Sequence, residues 1–347
     1  MIRCAIGATP RRVTTPSLLP LALTMGDPAG CGPQITAAAW RALHTNPSSA
    51  FYVIGWPGLY TGVPVDVIRA PAEAVSVYAR ALPVLALDEE RAIIAGTPDP
   101  AAAPGIIAAI KVATAHALSG NAGAVVTNPI NKALLYGQGF RFPGHTEFIA
   151  DLCAPEDGPA PEPVMMLTGG GLRVALATIH LPYASVPAAI ADGRLSRIAR
   201  ITCTALQRQF GILRPRIAFT GLNPHAGENG TIGREEIEII NPAAERLRAE
   251  GIDISGARPG DTVFAEALSG RFDAVIAMTH DQGLIPVKTL DMWGGVNTTL
   301  GLPIIRTSPD HGTAYDAAAA GTAKPDSLIA AIHSACEQAR HRARNAA

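Results

Sequence analysis

The chain has 347 residues, 48% hydrophobic and 16% charged, with 28 Lys+Arg against 29 Asp+Glu for a net charge of −1. That composition supports a sizeable core and excludes a disordered chain, and the balanced charge excludes the basic footprint of a nucleic-acid binder. At roughly 100–200 residues per domain the length suggests about two domains, and the high apolar fraction points to surface buried between subunits.

The first clear strand is the apolar run 21–25, which breaks into GDPAGCGP (26–33) and then a helical pattern over 34–43. Strand, Gly-rich turn and helix is how an α/β domain opens. FYVIG (51–55) reads as a second strand and VPVDVI (63–68) as a third. The Ala-rich stretch 102–120 predicts a helix closed by Gly120. AGAVVTNP (122–129) is a continuous apolar run ending in a turn, as in a parallel sheet. VMMLTGG (164–170) and LRVALATIH (172–180) predict a strand hairpin through Gly169, Gly170 and Gly171. A helix follows over about 195–210, then a strand in RIAFTGLNP (216–224). Residues 234–251 predict a helix kinked at Pro242 and ended by Gly251. FDAVIAMTHD (272–281) reads as a strand running into a loop, and a last helix covers 326–342. The Pro-rich stretch 154–163 reads as a surface loop.

No uninterrupted apolar run reaches the length of a membrane span. The first 20 residues lack the apolar stretch of a secretory leader and read as a lead-in. The five cysteines, Cys4, Cys31, Cys153, Cys203 and Cys336, are widely spaced without a CxxC pair, which predicts reduced thiols in a cytoplasmic protein.

Three of the predicted strands end at a histidine: His180, His225 and His280. Any one alone is more simply a capping or hydrogen-bonding residue. Three in the same context favour convergence on one divalent ion with coordination positions left for substrate. Their separations are far too long for a zinc finger. HAGENG (225–230) surrounds His225 with small residues and Glu228, which suits close backbone approach to a ligand, and Asp281 lies beside His280, where a carboxylate can orient an imidazole. Lys288 stands one short loop beyond His280, either paired with an anionic substrate or solvated.

These segments carry a resemblance. GDPAGCGP, GHTEF (144–148), ATIHLPY (177–183), GLNPHAGENG (221–230), GDTVF (260–264), HDQGLIPVK (280–288) and GVNTTLGLPIIRTSPDHGTAYD (295–316) occur in this order. Together they closely resemble the 4-hydroxythreonine-4-phosphate dehydrogenase family of pyridoxal phosphate biosynthesis, from about Leu21 to the C-terminal helix. The resemblance implies an α/β fold like that of isocitrate and isopropylmalate dehydrogenases, two α/β/α lobes with a cleft between them. Residues 20–130 plus 290–347 would form the cofactor-side lobe, and 131–289 the metal, substrate and dimerisation lobe. It implies one divalent metal (Zn, Mg or Co) on His180, His225 and His280, at the interface of a homodimer with a shared active site, His280 coming from the second copy. It implies substrate contacts from His145, Thr146, Lys288, Asn297 and Arg306. Asp310, His311, Gly312 and Thr313 would hold NAD or NADP. Cys31 and Gln34 stand where an aliphatic and an acidic residue are more usual in the family.

The implied reaction oxidises the C3 hydroxyl of 4-phosphooxy-threonine, passing hydride to the cofactor. The β-keto acid formed then decarboxylates to 3-amino-2-oxopropyl phosphate. Lys288 and Asp261 are the candidate catalytic residues, although an Asp before Thr is as often a helix N-cap. Two other readings stay open: oxidation of threonate or erythronate 4-phosphate, against which Leu284 counts, and metal-dependent hydrolysis of a phosphorylated metabolite, which would leave DHGTA without a task. Neither nucleic acid nor a membrane is expected as a partner.

Overall fold

Alternating burial along the first strand sets the architecture. In β1 (Leu21–Thr24), Leu21 and Leu23 pack into one core cluster and Ala22 into another. In β2 (Phe51–Gly55), Phe51 and Val53 follow the first face, Tyr52 and Ile54 the second. Side chains alternate across a strand, so a run apolar at every position requires cover on both faces of the sheet. The computed structural model describes residues 19–191 and 193–346, and most of the lead-in, with Cys4, lies outside them.

The remaining strands are β3 (Val65–Ile68), β4 (Leu82–Ala86), β5 (Val125–Thr127), β6 (Val164–Gly169), β7 (Leu172–Leu176), β8 (Ile217–Thr220), β9 (Ile254–Arg258), β10 (Ala274–Ala277), β11 (Val296–Leu300) and β12 (Arg306–Pro309). The described strands form one sheet in the order β3-β4-β2-β1-β5-β12-β11-β6-β7-β10-β8-β9. From β3 to β12 every pairing is parallel. The steps β12–β11, β11–β6 and β6–β7 are antiparallel. From β7 to β9 the pairings are parallel again. Three antiparallel steps reverse direction, so the two parallel blocks run opposite ways and meet at β12, β11 and β6.

Each block carries its own pair of cores. The first pair draws on residues up to Cys153 and takes in Leu302, Ile304, Ile305 and the last helix. The second pair starts at Val164 and ends at Leu300. The chain therefore changes over across the Pro-rich 154–163 loop, and Leu135, Phe140 and Phe148 pack with the first block.

The helical stretch Pro100–Leu118, which ends in helix Ala103–Leu118, is long and apolar enough to cross a membrane by length and composition. Here it docks on β1 and β2 and buries Ile106, Ala109, Ile110 and Ala113. Gly120 at φ +74° closes it, as its sequence predicts. The predicted helix at 234–251 opens with a π-turn, Glu236–Ile240, where the Asn241 N–H donates to the Glu236 carbonyl. The α-helix Asn241–Ala249 then follows. Pro242 has no N–H to continue the regular ladder, which accounts for the break. The 280–288 segment corrects an expectation. It is not a loop but the start of helix His280–Leu290, so Lys288 lies two turns along the same helix as His280.

Candidate active site

Where the two blocks meet lies a cleft of about 540 Å³. Its floor is built on β12 and β11. Arg306, 3% exposed, donates from Nη1 to Thr299 at 3.1 Å and from Nη2 to Thr127 at 2.7 Å. Its Nε has no partner, and neither has Asn297 Oδ1 on the neighbouring strand. Burial pushes the guanidinium pKa down to about 10, opposed by the charge of Glu147. A buried cation bonded only to neutral hydroxyls, with one donor left over, is what an anion-binding floor requires.

The second wall is helix His145–Leu152, whose first turn (His145, Thr146 and Glu147) faces the cleft behind Gly144. An N-terminus with free backbone N–H groups favours negative charge. His145 Nε2 is sealed from solvent without a partner. Burial, reinforced by Arg306 and Lys132, holds this imidazole well below its usual pKa, so it is neutral.

The histidines divide. β7 and β10 pair in register, with Leu176 opposite Ala277. His180 and His280, just beyond those ends, both line the cleft with ring centroids 5.6 Å apart. His225 does not line it, and its side chain is 64% exposed. It stands on a turn in which His225, Ala226, Gly227, Glu228 and Asn229 all have φ between +42° and +78°. Each non-glycine residue held there costs roughly 1 kcal/mol or more. The resemblance led us to expect His280 from a second copy, yet the fold sets His280 beside His180 in one chain and leaves His225 outside. Among the described residues no three metal-ligating side chains converge.

The chemistry of these donors nevertheless suits a divalent ion. His280 Nδ1 is bonded to Asp281 at 2.8 Å and His225 Nδ1 to Glu228 at 2.7 Å, which leaves each Nε2 for a metal. Burial lowers the His180 pKa, assisted by Lys132 and His280 and opposed by Glu147, which favours the neutral ligand form. Asp261, exposed and outside the cleft, contributes to raising the His225 pKa, behind the larger effect of Glu228. It is not at the helix N-cap position: Thr262 holds that position ahead of helix Val263–Leu268, without a side-chain cap bond.

Asp310, His311 and Gly312 line the far end of the cleft. Lys288 pairs with Asp310 at 2.8 Å and so joins helix His280–Leu290 to this loop. The GDPAGCGP turn lies beneath it. Cys31 N–H donates to the Thr313 carbonyl at 2.8 Å, and a Cβ on Gly30 would come within 2.8 Å of the same oxygen. Tyr315 OH donates to the buried Asp27 at 2.5 Å.

A family model described as pyridoxal phosphate biosynthetic protein PdxA matches residues 52–335. The chain belongs to the PdxA family. A relative from Caulobacter vibrioides named 4-hydroxythreonine-4-phosphate dehydrogenase is 51% identical over 93% of this chain and 98% of its own. One from Bradyrhizobium diazoefficiens with the same name is 47% identical, covering 92% and 97%. The crystal structure of 4-hydroxythreonine-4-phosphate dehydrogenase from Klebsiella pneumoniae superposes with TM-score 0.82 at 37% identity, covering 92% of this chain and 99% of that one. A terephthalate 1,2-cis-dihydrodiol dehydrogenase from Burkholderia xenovorans matches at TM-score 0.64 and 28% identity, covering 92% and 98%.

Three features of this PdxA-family enzyme escaped the sequence reading. Lys132 lines the cleft next to His145, just past the end of β5, where NPINK continues a strand already recognised. Glu147, inside the GHTEF motif, is an acid in the same wall. The Asp27–Tyr315 bond spans 288 residues of sequence, and no local pattern announces it. The two departures from the family pattern hold the same region: Gln34 donates to the Ala318 carbonyl at 2.6 Å, and the Cys31 thiol faces the Gly312 carbonyl at 3.7 Å.

Proposed function

We propose that this PdxA-family dehydrogenase oxidises 4-phosphooxy-L-threonine to 2-amino-3-oxo-4-phosphooxybutanoate with NAD or NADP, as a step of pyridoxal phosphate biosynthesis. The product, a β-keto acid, loses CO₂ to give 3-amino-2-oxopropyl phosphate. The observation that carries this reading is the buried Arg306 with its unpartnered Nε, facing the same cleft as the His180–His280 pair.

In this reading the substrate phosphate lies against Arg306, His145, Thr146 and the N-terminus of helix His145–Leu152. Asn297 and Lys288 supply further polar contacts and fix the substrate's orientation. His180 and His280, with His225 of a second copy, hold one divalent metal (Zn, Mg or Co). When bound, that ion stabilises negative charge on the C3 oxygen, so its proton leaves near neutral pH. Asp261, carried by the second copy alongside His225, accepts that proton. Residues 310–313 hold the cofactor so that the C3 hydride reaches the nicotinamide. Lys288, anchored to Asp310, keeps substrate and cofactor walls in one geometry. A homodimer in the cytoplasm is part of this reading, supported by the exposed His225 and by the four cysteines among the described residues, which are free and buried. So is a two-lobed division, with the changeover in 154–163 supported by the separate cores.

The test follows reduced nicotinamide with 4-phosphooxy-threonine or threonate 4-phosphate, NAD or NADP, before and after chelation. The expected result is turnover of the amino acid phosphate, lost on chelation and restored by Zn, Mg or Co. Turnover indifferent to chelation, or phosphate release without nicotinamide reduction, would contradict the proposal.

A further inference from the structure

We infer that Glu236 is the positioning residue that holds the turn carrying His225 in its metal-binding shape. This rests on the metal role proposed above for His225.

Four non-glycine residues in the left-handed region do not persist unless both ends of the segment are fixed from outside. The C-terminal end is fixed locally. Thr231 donates to the Glu228 carbonyl from its backbone N–H and, at 2.7 Å, from its hydroxyl, and Ile232 N–H donates to the Gly227 carbonyl at 3.2 Å. At the N-terminal end Ala226 N–H donates to the Asn223 carbonyl at 3.1 Å and Gly221 is tied to Arg258 and Gln282, while one buried carboxylate gathers the N–H groups of Leu222 and Asn223. Glu236 is 2% exposed. Its Oε1 accepts the N–H of Leu222 at 2.8 Å and of Asn223 at 2.7 Å, and its Oε2 accepts Asn223 Nδ2 at 2.9 Å.

The same carboxylate is the floor of the turn. A Cβ on Gly227 would come within 2.6 Å of Glu236 Oε2, and one on Gly221 within 2.8 Å of the Ala226 Cα. Glu235 also reaches Asn223 Nδ2, at 2.7 Å, so two consecutive acids grip one side chain from the start of the widened π-turn. Among the described residues no cation pairs with Glu236, and N–H donors alone hold its charge. Burying a carboxylate this way gives up stability that a neutral side chain would keep. Fixed geometry at the turn is what that arrangement gains. The outcome is an exposed His225 whose Nδ1 is bonded within its own turn, leaving Nε2 for an ion.

The test is Co²⁺ binding to the metal-free enzyme, followed by visible absorption and calorimetry, in wild type, His225→Ala, Glu236→Ala, Glu236→Gln and Gly227→Ala. Glu236→Ala and Gly227→Ala are expected to weaken Co²⁺ binding by about tenfold or more, as loss of a ligand's support does, with the cofactor KM unchanged. Glu236→Gln keeps an acceptor for Leu222 and Asn223 but turns an N–H against Asn223 Nδ2, and should lose less. If His225→Ala binds Co²⁺ like wild type, the metal role of His225 fails and this role of Glu236 fails with it. If His225→Ala weakens binding while Gly227→Ala and Glu236→Gln keep wild-type affinity, the turn holds its shape without Glu236. Those two variants decide the matter even where Glu236→Ala does not fold.

Discussion

At Arg306 stability and function oppose each other. A buried guanidinium whose bonding partners are two threonine hydroxyls is held at the expense of folding free energy until an anion arrives. Arg306→Met should therefore raise the thermal midpoint of the ligand-free protein. It should also raise KM for the phosphorylated substrate about a hundredfold, the scale of roughly 3 kcal/mol for a lost buried charge contact. The cofactor KM should not move. Calorimetric melts and steady-state kinetics check both halves. His145 makes a pH prediction. Its pKa in the fold lies well below the ordinary 6.5, so below that pH the unfolded chain binds the extra proton and the native state does not. Stability is full above the unfolded pKa and falls as pH drops, by at most about 1.4 kcal/mol per pH unit for this group. His145→Gln should flatten the fall of the melting midpoint between neutral and mildly acidic pH. An unchanged slope would mean that His145 is not held neutral. At this scale the sequence was legible, because residue types inside long motifs name their own chemistry. It did not disclose Lys132, whose place beside His145 depends on how the end of β5 meets a helix from elsewhere in the chain.

At the scale of elements, the apolar strands were readable and the polar ones were not. β1, β2, β5 and β10 are apolar runs buried on both faces. β11 and β12 read VNTTL and RTSP. They lie at the junction of the two blocks, where Thr299 and Arg306 serve the cleft rather than a core, so hydrophobic pattern gave no signal. The 280–290 helix was hidden by Gly283 and Pro286, both poor helix residues in isolation. The clasp between the GDPAGCGP turn and the loop at 310–316 makes an element-scale prediction. Burial first, and then the bond to Asp27, push the Tyr315 hydroxyl up to about 12, so it stays a donor across the working pH range. Tyr315→Phe leaves the buried Asp27 carboxylate with the Ala29 N–H as its remaining donor among the described residues. That should cost about 2 kcal/mol of stability and raise the cofactor KM by roughly the tenfold that 1.4 kcal/mol represents. The substrate KM should stay near wild type. A rise in the substrate KM alone would detach the clasp from the cofactor loop.

At the scale of the whole molecule, the three histidines pose the question one chain does not answer. Strand-end position in the sequence announced all three, but sequence order carries no information on which copy supplies which ligand. Within one chain the pairing of β7 with β10 brings His180 and His280 together, while the left-handed turn carries His225 outward. A site built from His180 and His280 of one copy and His225 of the other has a distinctive genetics. Two inactive variants should complement on mixing only when one copy in the hybrid keeps both His180 and His280 and its neighbour keeps His225. The most direct measurement is activity regained after subunits of two inactive variants are exchanged. His180→Ala mixed with His225→Ala should recover turnover in the hybrid, and His180→Ala mixed with His280→Ala should recover none. Recovery in the second mixture and not the first would assign His280, not His225, to the neighbouring copy, and no recovery in either would contradict a shared site.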